Sequence, residues 1–323
     1  MIWEDSHTEW QRARLDSVRF VKPFDRRSFL VASGALVLAA CGNSSSSSSS
    51  SPSSSATQLD SAGNPVIRTS ATGYAVAQRF NQEVLVPGLV RLPISLASKQ
   101  AILSDGPAVL NGKIISIDTS KTVIPAISAK RRKVTEALSY WDFHAQLDQV
   151  GNYALIIDGG TPEGGAIQIN DPTTVKVPSV GQQLPPFDTP TTDNHRGVEP
   201  ICTRLTGGPC PFHAITLTDA LKMGKPVVYM IGTPAHCQFG TCAPGLEALI
   251  VASKRLGDKL SIVHADVYAD DSATTAAPAV DAYNLTYEPA IWFADATGKI
   301  TMRLDAAWDQ TELDESLDAL LKA

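Results

Sequence analysis

The segment from Lys225 to Pro244 constrains the fold of this chain more than any other stretch. It contains an apolar run, Val227–Ile231, whose length and composition predict a buried β-strand. The run ends at a Gly-Thr-Pro turn, and a helical pattern rich in alanine and leucine begins near Ala243. Cys237 and Cys242 therefore fall where a strand passes into the first turn of a helix. Unpaired N–H groups and the helix dipole favour a thiolate there, which indicates thiol–disulfide chemistry.

Two interpretations of this cysteine pair follow from its position. In the first, Cys237 is the attacking thiolate of a redox pair and Cys242 is the resolving thiol one helical turn further on. A positively charged His236 would then lower the pKa of Cys237. In the second, the pair is a permanent disulfide, since four intervening residues close one easily. The helix start favours the redox interpretation, because reactive cysteines concentrate at electropositive helix starts.

Residues 1–40 are predicted to be an export signal rather than part of a fold. The segment Arg26-Arg-Ser-Phe-Leu30 resembles a twin-arginine signal, and the apolar stretch that follows it is too short to span a bilayer as a helix. The stretch ends in Leu38-Ala-Ala-Cys41, which resembles the lipobox of bacterial lipoproteins. That resemblance implies that Cys41 is acylated and becomes the new N-terminus; the alternative is an uncleaved signal anchor. We expect an extracytoplasmic protein, lipid-anchored to a bacterial membrane.

Residues 41–65 are predicted to be a flexible tether. Its serine run from Ser44 to Ser55 is broken only by Pro52, buries no apolar surface and cannot offset the entropy of ordering. The formal net charge of −6 gives no electrostatic reason to bind nucleic acid or anionic lipid. We therefore expect membrane contact through the acylated cysteine, and no nucleic-acid partner.

The five cysteines divide into one lipid attachment site and two pairs. Exported thiols tend to pair, so Cys202 and Cys210 are predicted to form a structural disulfide. A zinc site that adds His195 and His213 is the alternative. Seven residues between the two cysteines is an unusual ligand spacing, which disfavours zinc.

The residues beyond the tether are too many for one small domain and suit two. Residues 73–180 show short alternating strands with frequent glycine and proline, which predict an all-β sandwich. The segment ending in Gly151-Asn-Tyr153 resembles the tyrosine corner of immunoglobulin-like domains. The basic run Lys130–Lys133 is predicted to be a solvated loop. Residues 181–193 are predicted to be a proline-rich linker. The predicted strands are Glu83–Val86, Val90–Ala97, Lys113–Asp118, Tyr140–Leu147, Tyr153–Asp158 and Ala166–Ile169.

Residues 194–323 are predicted to form an α/β domain with a mixed sheet covered by helices on both faces. The last helix begins with a predicted capping box of Thr311 and Asp314. The predicted strands are Val227–Gly232, Leu260–Val267, Ala290–Ala294 and Lys299–Leu304. The predicted helices are Leu217–Met223, Gly245–Leu256, Ala276–Tyr283 and Thr311–Leu321.

This order of elements resembles the thioredoxin superfamily over residues 212–323. The paired cysteines follow the first central strand, and Tyr287-Glu-Pro-Ala-Ile-Trp-Phe293 precedes an Asp-x-x-Gly-Lys turn. In that family a cis proline faces the cysteine pair and binds extended substrate. The resemblance therefore implies that Glu288 and Pro289 hold a client segment, while Cys237, Cys242 and His236 carry the chemistry.

The chain also departs from the family. Family members usually have two residues between their cysteines, whereas this chain has four. The strand Val227–Ile231 lacks the buried carboxylate that many thioredoxins use as proton acceptor. Proton transfer would then use water, His236 or the substrate thiol.

The sequence thus predicts a membrane-anchored thiol–disulfide oxidoreductase whose partners are the thiols and disulfides of client proteins. It predicts no cofactor and no bound metal, and it does not indicate an oligomeric state. One alternative is a non-enzymatic scaffold lipoprotein with structural disulfides. Another is a thioredoxin-fold copper(I) chaperone that uses His236, Cys237 and Cys242 with His264, since copper(I) prefers soft ligands.

Overall fold

The computed structural model describes residues 58–59, 65–66, 73–98 and 101–322. The predictions for the export signal, for the acylated Cys41 and for the serine run lie outside these residues. The chain divides into two compact units, and the boundary between them follows residue 67. In the first unit, strands β1 (Gln58–Leu59) and β2 (Pro65–Val66) pair antiparallel. No helix among the described residues is both long and apolar enough to cross a membrane.

The second unit begins with a seven-stranded antiparallel sheet in the order β3-β4-β7-β6-β5-β8-β9. Buried residues alternate with exposed ones in β9 and at the end of β7, as in a sheet with one buried face, whereas the middle parts of β4 and β7 are buried continuously. This agrees with the all-β prediction for this part of the chain. The strands are β3 (Ala75–Gln78), β4 (Gly88–Ala97), β5 (Val109–Ser116), β6 (Thr122–Thr135), β7 (Leu138–Leu147), β8 (Gly151–Ile157) and β9 (Gly165–Ile169).

The long strand β6 joins two halves of this sheet. Its first part pairs with β5 and its second part pairs with β7. The edge strands β3 and β9 approach each other, since the Gln78 amide donates a hydrogen bond to the Ala166 carbonyl. The sheet therefore curls around a core that includes Leu92, Trp141 and Leu155.

Two local predictions in this sheet differ from the structure. Residues Glu83–Val86 are not a strand, because Gln82–Val84 form a 3₁₀ turn whose first N–H is capped by the Asn81 side chain. Lys130–Lys133 was predicted to be a solvated loop but lies within β6. The Tyr153 hydroxyl donates a hydrogen bond to the Gln149 carbonyl at 2.8 Å.

A four-stranded mixed sheet follows, in the order β11-β10-β12-β13. Strands β10 and β11 run parallel, whereas the other neighbours are antiparallel. The elements are α1 (Leu217–Lys222), β10 (Val227–Ile231), α2 (Cys242–Leu256), β11 (Ser261–Ala265), α3 (Pro278–Tyr283), β12 (Ala290–Ala294), β13 (Ile300–Asp305) and α4 (Gln310–Leu320), with a 3₁₀ turn at Gly257–Lys259.

Both faces of the mixed sheet are buried, as the continuous apolar run of β10 predicts. Val228 and Met230 face the core beneath α2 and α4, while Tyr229 faces the core beneath α1 and α3. The predicted linker also packs here, because Leu184 is 2% exposed and belongs to the second core. The central strand is thereby fixed on both sides.

The N-cap of α4 is Asp309, whose side chain accepts the Glu312 N–H at 2.8 Å. The predicted capping box of Thr311 and Asp314 begins two residues too late. Asp309 fits the preference for a short carboxylate at this position. The side chain of Glu312 is bound elsewhere, to an arginine of the antiparallel sheet.

That arginine, Arg91 of β4, makes a buried ion pair with Glu312. Arg91 Nε lies 2.5 Å from Glu312 Oε1, and the two side chains are 10% and 5% exposed. The guanidinium also donates to the carbonyls of Asp305 and Ala307, and the Tyr140 hydroxyl donates to the same carboxylate. One charged network thus joins the antiparallel sheet to the start of α4.

Arg91→Ala is expected to lower the free energy of unfolding by about 3–5 kcal/mol, because it leaves the Glu312 carboxylate buried without its partner. Denaturant unfolding of both proteins measures the difference. The matched control is Lys133→Ala, whose partner Glu136 is 93% exposed, and the expected change is within about 0.5 kcal/mol. Equal changes in the two variants would contradict this account of the network.

Candidate active site

Cys237 and Cys242 form a disulfide at the N-terminus of α2. Their Cα atoms are 5.9 Å apart, and Cys242 is the first residue of the helix. Cys237 is half-buried, whereas Cys242 is fully buried. The two sulfurs therefore differ in accessibility, as an attacking and a resolving cysteine do.

The sulfur of Cys237 lies at the electropositive end of α2. The Cys242 N–H donates to Cys237 Sγ at 3.3 Å, and the N-cap residue Thr241 makes no side-chain capping bond. An N-terminal N–H group of the helix is thus directed at the sulfur. This position stabilises negative charge on Cys237 when the disulfide is reduced.

Pro289 faces this pair from the neighbouring strand. Its peptide bond with Glu288 is cis, and it directly precedes β12, which pairs with β10 so that Ala290 lies opposite Ile231. Gly232 follows β10 and keeps this region open. A Cβ atom there would lie 3.1 Å from Pro289 Cβ and 3.5 Å from Cys242 Sγ.

Glu288 supplies a carboxylate beside the buried cysteine. Its Oε2 accepts the Thr233 N–H at 2.6 Å and lies 3.4 Å from Cys242 Sγ. Burial raises the pKa of Glu288 to about 7, and the negative charge of Asp266 adds to this, although the Thr233 N–H opposes it. A carboxyl group with that pKa can take up and release a proton near neutral pH.

The sequence assigned Glu288 to substrate binding and found no carboxylate in β10 to act as proton acceptor. In the structure, the carboxylate beside the buried Cys242 sulfur comes from Glu288, which lies just before β12. The sequence feature that could have indicated this role is the position of Glu288 directly before Pro289, the proline expected to face the cysteines. Its partners Thr233 and Cys242 lie far away in the sequence.

His236 directly precedes Cys237, in the loop before α2. Its ring packs edge-on against Tyr268 with 6.1 Å between centroids, and its Nε2 has no hydrogen-bond partner among the described residues. Glu288 lies close to both cysteines of the disulfide. No hydrogen bond joins His236 Nε2 to Cys237 among the described residues, and the effect of a charged His236 on the pKa of Cys237 stays a prediction.

Cys202 and Cys210 do not form the predicted disulfide. Both are free and buried, and both sulfurs lie near Nδ1 of His264, at 3.9 and 3.5 Å. Hydrogen bonding from the Cys210 thiol, with help from His213 and His264, holds the pKa of Cys202 well below its ordinary value. The two sulfurs share hydrogen-bond contacts with the His264 ring instead of forming a covalent bond to each other.

The other histidines proposed from the sequence separate into different places. His195 pairs with Glu199 at the surface, at 2.6 Å, away from the two free cysteines. His264 is buried with Cys202 and Cys210 rather than with Cys237 and Cys242. This placement removes His264 from the ligand set of the copper(I) alternative.

Solved structures of other proteins align with part of this chain. No protein-family model and no curated protein matches the chain. A thioredoxin-family thiol:disulfide interchange protein from Chlorobium tepidum aligns at 14% identity and a TM-score of 0.32, over 45% of this chain and 99% of that one. The C-terminal domain of a protein described as a thiol-disulfide oxidoreductase from Bacteroides thetaiotaomicron aligns at 12% sequence identity and a TM-score of 0.31. This alignment covers 45% of this chain and 97% of that domain.

Proposed function

We propose that this chain is a thioredoxin-like thiol–disulfide oxidoreductase that exchanges disulfides with client proteins. The observation that supports this most is the asymmetry of the Cys237–Cys242 pair. One sulfur is reachable at a helix N-terminus, and the other is buried beside a carboxyl group of raised pKa. A disulfide that only closes a loop requires neither feature.

In the reduced protein, the Cys237 thiolate attacks one sulfur of a client disulfide. This step forms a mixed disulfide and releases the first client thiolate. The Cys242 thiolate then attacks the Cys237 sulfur, which reforms the Cys237–Cys242 bond and releases the second client thiolate. The client gains two electrons and the chain loses two; the reverse sequence oxidises a client dithiol.

Glu288 serves the second of these steps in the proposed mechanism. Cys242 is buried, and burial in apolar surroundings disfavours its thiolate. The Glu288 carboxylate at 3.4 Å can accept the Cys242 proton as that sulfur attacks. In the reverse direction, the carboxylic acid returns the proton.

The client segment is proposed to bind between Pro289 and the loop that separates the cysteines. Phe239, in that loop, is 53% exposed, although it is a large apolar side chain. It offers a hydrophobic contact next to the accessible sulfur. The backbone beside Pro289 would hold an extended client, as the resemblance to the thioredoxin superfamily implies.

The location of the protein is part of the same proposal. The lipobox-like Leu38–Cys41 and the arginine pair before it support export and acylation of Cys41 at a bacterial membrane. The curled antiparallel sheet would be an immunoglobulin-like sandwich that acts as a spacer or client-docking module. The tyrosine-corner contact of Tyr153 supports that interpretation.

Gentle reduction of the full-length chain followed by iodoacetamide near pH 7 tests the proposal. Cys237 is expected to be alkylated well before Cys242, because Cys237 is reachable and its thiolate is stabilised. Equilibration with glutathione is expected to give a reduction potential of about −270 to −120 mV, the range of thioredoxin-fold oxidoreductases. A pair that resists reduction in the native state, or a potential below about −300 mV, would instead support the scaffold alternative.

A further inference from the structure

Four buried side chains converge in a second cluster, separate from the disulfide and next to the Gly232 carbonyl. Cys202 and Cys210 lie in the segment that precedes α1, His213 follows them, and His264 lies in β11. Their exposed fractions are 6, 4, 1 and 0%. The proposed redox mechanism uses none of them.

The spacing of their donor atoms fits a tetrahedral metal site. His264 Nδ1 lies 3.3 Å from His213 Nε2, 3.5 Å from Cys210 Sγ and 3.9 Å from Cys202 Sγ. With Zn–S bonds of about 2.3 Å and Zn–N bonds of about 2.05 Å, a tetrahedron separates two nitrogens by about 3.3 Å and a nitrogen from a sulfur by about 3.6 Å. All four donor atoms lie within 4.8 Å of one another.

The hydrogen bonds around His264 direct a lone pair at this cluster. Its Nε2 donates to the Gly232 carbonyl at 2.9 Å, which requires the proton on Nε2 and leaves Nδ1 bare in the neutral ring. Metal-ligating histidines typically donate their second ring nitrogen to a carbonyl or a carboxylate in this way. His264 Nδ1 is therefore prepared to ligate.

Asp266 adds a second observation. Its Oδ2 accepts the Thr203 N–H at 2.8 Å, whereas its Oδ1 is buried, has no hydrogen-bond partner among the described residues and lies 3.6 Å from His264 Nε2. A buried carboxylate behind a histidine is the arrangement that orients imidazoles at zinc. Cys202 Sγ also accepts the Cys210 N–H at 3.4 Å, as metal-bound thiolates commonly do.

We propose that Cys202, Cys210, His213 and His264 bind one Zn²⁺ ion. Two thiolates and two neutral imidazoles balance the charge of the ion and form a closed tetrahedral S₂N₂ site. With four protein ligands, all buried, the site has no open position for a substrate, so its role is structural. It fixes the segment around residues 202–213 against β11. This zinc site replaces the predicted disulfide and does not depend on the redox function.

Metal analysis of the purified full-length chain tests the site. We expect one zinc ion per chain, and loss of that zinc in Cys202→Ser and in His213→Ala. The matched control is Cys237→Ser, which removes a cysteine of the other pair and is expected to retain zinc. The proposal is overturned if wild-type protein lacks zinc, binds stoichiometric copper instead, contains a Cys202–Cys210 disulfide, or retains zinc in both ligand variants.

A second measurement needs no variant and so does not depend on whether the variants fold. Zinc is removed from wild-type protein with a chelator under reducing conditions, and then Zn²⁺ or Mg²⁺ is added back. Zn²⁺ is expected to raise the melting temperature, and Mg²⁺ is expected to leave it unchanged, because soft thiolate ligands do not select magnesium. Co²⁺ added to the apo protein is expected to give the absorption of a tetrahedral thiolate complex. No stabilisation by Zn²⁺ and no such spectrum would overturn the proposal.

Discussion

Cys237→Ser is expected to reduce disulfide exchange to the rate of the assay without protein. The serine hydroxyl cannot form the mixed disulfide, and the remaining Cys242 is fully buried. Insulin reduction by the reduced full-length chain measures the rate. His195→Gln is the control, because His195 pairs with Glu199 at the surface, and it is expected to keep most of the wild-type rate.

Cys242→Ser is the companion variant and is expected to fail at a different step. Cys237 can still attack a client, but no second sulfur is present to resolve the mixed disulfide. A covalent complex with the client is therefore expected to accumulate, visible by mass spectrometry without reductant and absent from Cys237→Ser. Exchange that continues in Cys237→Ser, or no trapped complex in Cys242→Ser, would show that the pair does not act by this mechanism.

The mixed sheet was predictable because its central strands are buried on both faces. Such strands appear in the sequence as continuous apolar runs bounded by glycine and proline. The predicted strand Ala290–Ala294 has the same bounds as β12, and β10 differs from its prediction by one residue. The same local signals placed both cysteines and Pro289 at the ends of these strands.

The antiparallel sheet was harder to predict, because its charged positions depend on partners that are distant in sequence. Lys130–Lys133 is a run of four basic residues, which local reasoning assigns to a solvated loop. In β6, however, Arg132 pairs with Asp142 of the neighbouring strand and with Glu315 of α4. The first contact forms only when β6 pairs with β7, and the second only when α4 packs against the antiparallel sheet.

Two side-chain contacts that the sequence did not predict, Glu288 with Cys242 and His264 with Cys210, also join residues that are distant in sequence. Glu288 reaches Cys242 only because β12 pairs with β10, and His264 meets Cys210 only because β11 lies beside the segment before α1. No short sequence motif can indicate either contact, because the two residues are separated by 46 positions in the first and by 54 in the second. The disulfide predicted for Cys202 and Cys210, which followed from the tendency of exported thiols to pair, is not formed.

Glu288→Gln is expected to slow the resolving step by about 10²-fold at pH 8, the lower end of general-base contributions. Glutamine can still accept the Thr233 N–H, so the local geometry is kept, but it cannot accept the Cys242 proton. In wild-type protein, the carboxylate fraction of Glu288 grows as pH rises through about 7, so the rate should rise there too. The variant should lack that rise and follow only the ionisation of the thiol, whose ordinary pKa is about 8.5.

The same variant is expected to be more stable than wild-type protein above pH 7. The folded-state pKa of Glu288 is raised from its ordinary 4.5 to about 7, so between these values the native protein binds more protons than the unfolded chain. Wild-type stability should then fall as pH rises through this window, by about 1–3 kcal/mol, and the neutral glutamine removes that loss. Denaturant unfolding of the oxidised protein at pH 5 and pH 8 measures the difference, with the exposed Glu163→Gln as control.

Opposite changes in rate and stability distinguish a proton acceptor from a residue that only supports the fold. Replacing a residue that only supports the fold would lower the stability of the protein, and it would slow the resolving step equally at every pH. A proton acceptor held in an unfavourable buried environment gives a slower and more stable protein once its charge is removed. Glu288→Gln that is destabilised at pH 8, or that keeps the rise in rate near pH 7, would therefore exclude Glu288 as the proton acceptor for Cys242.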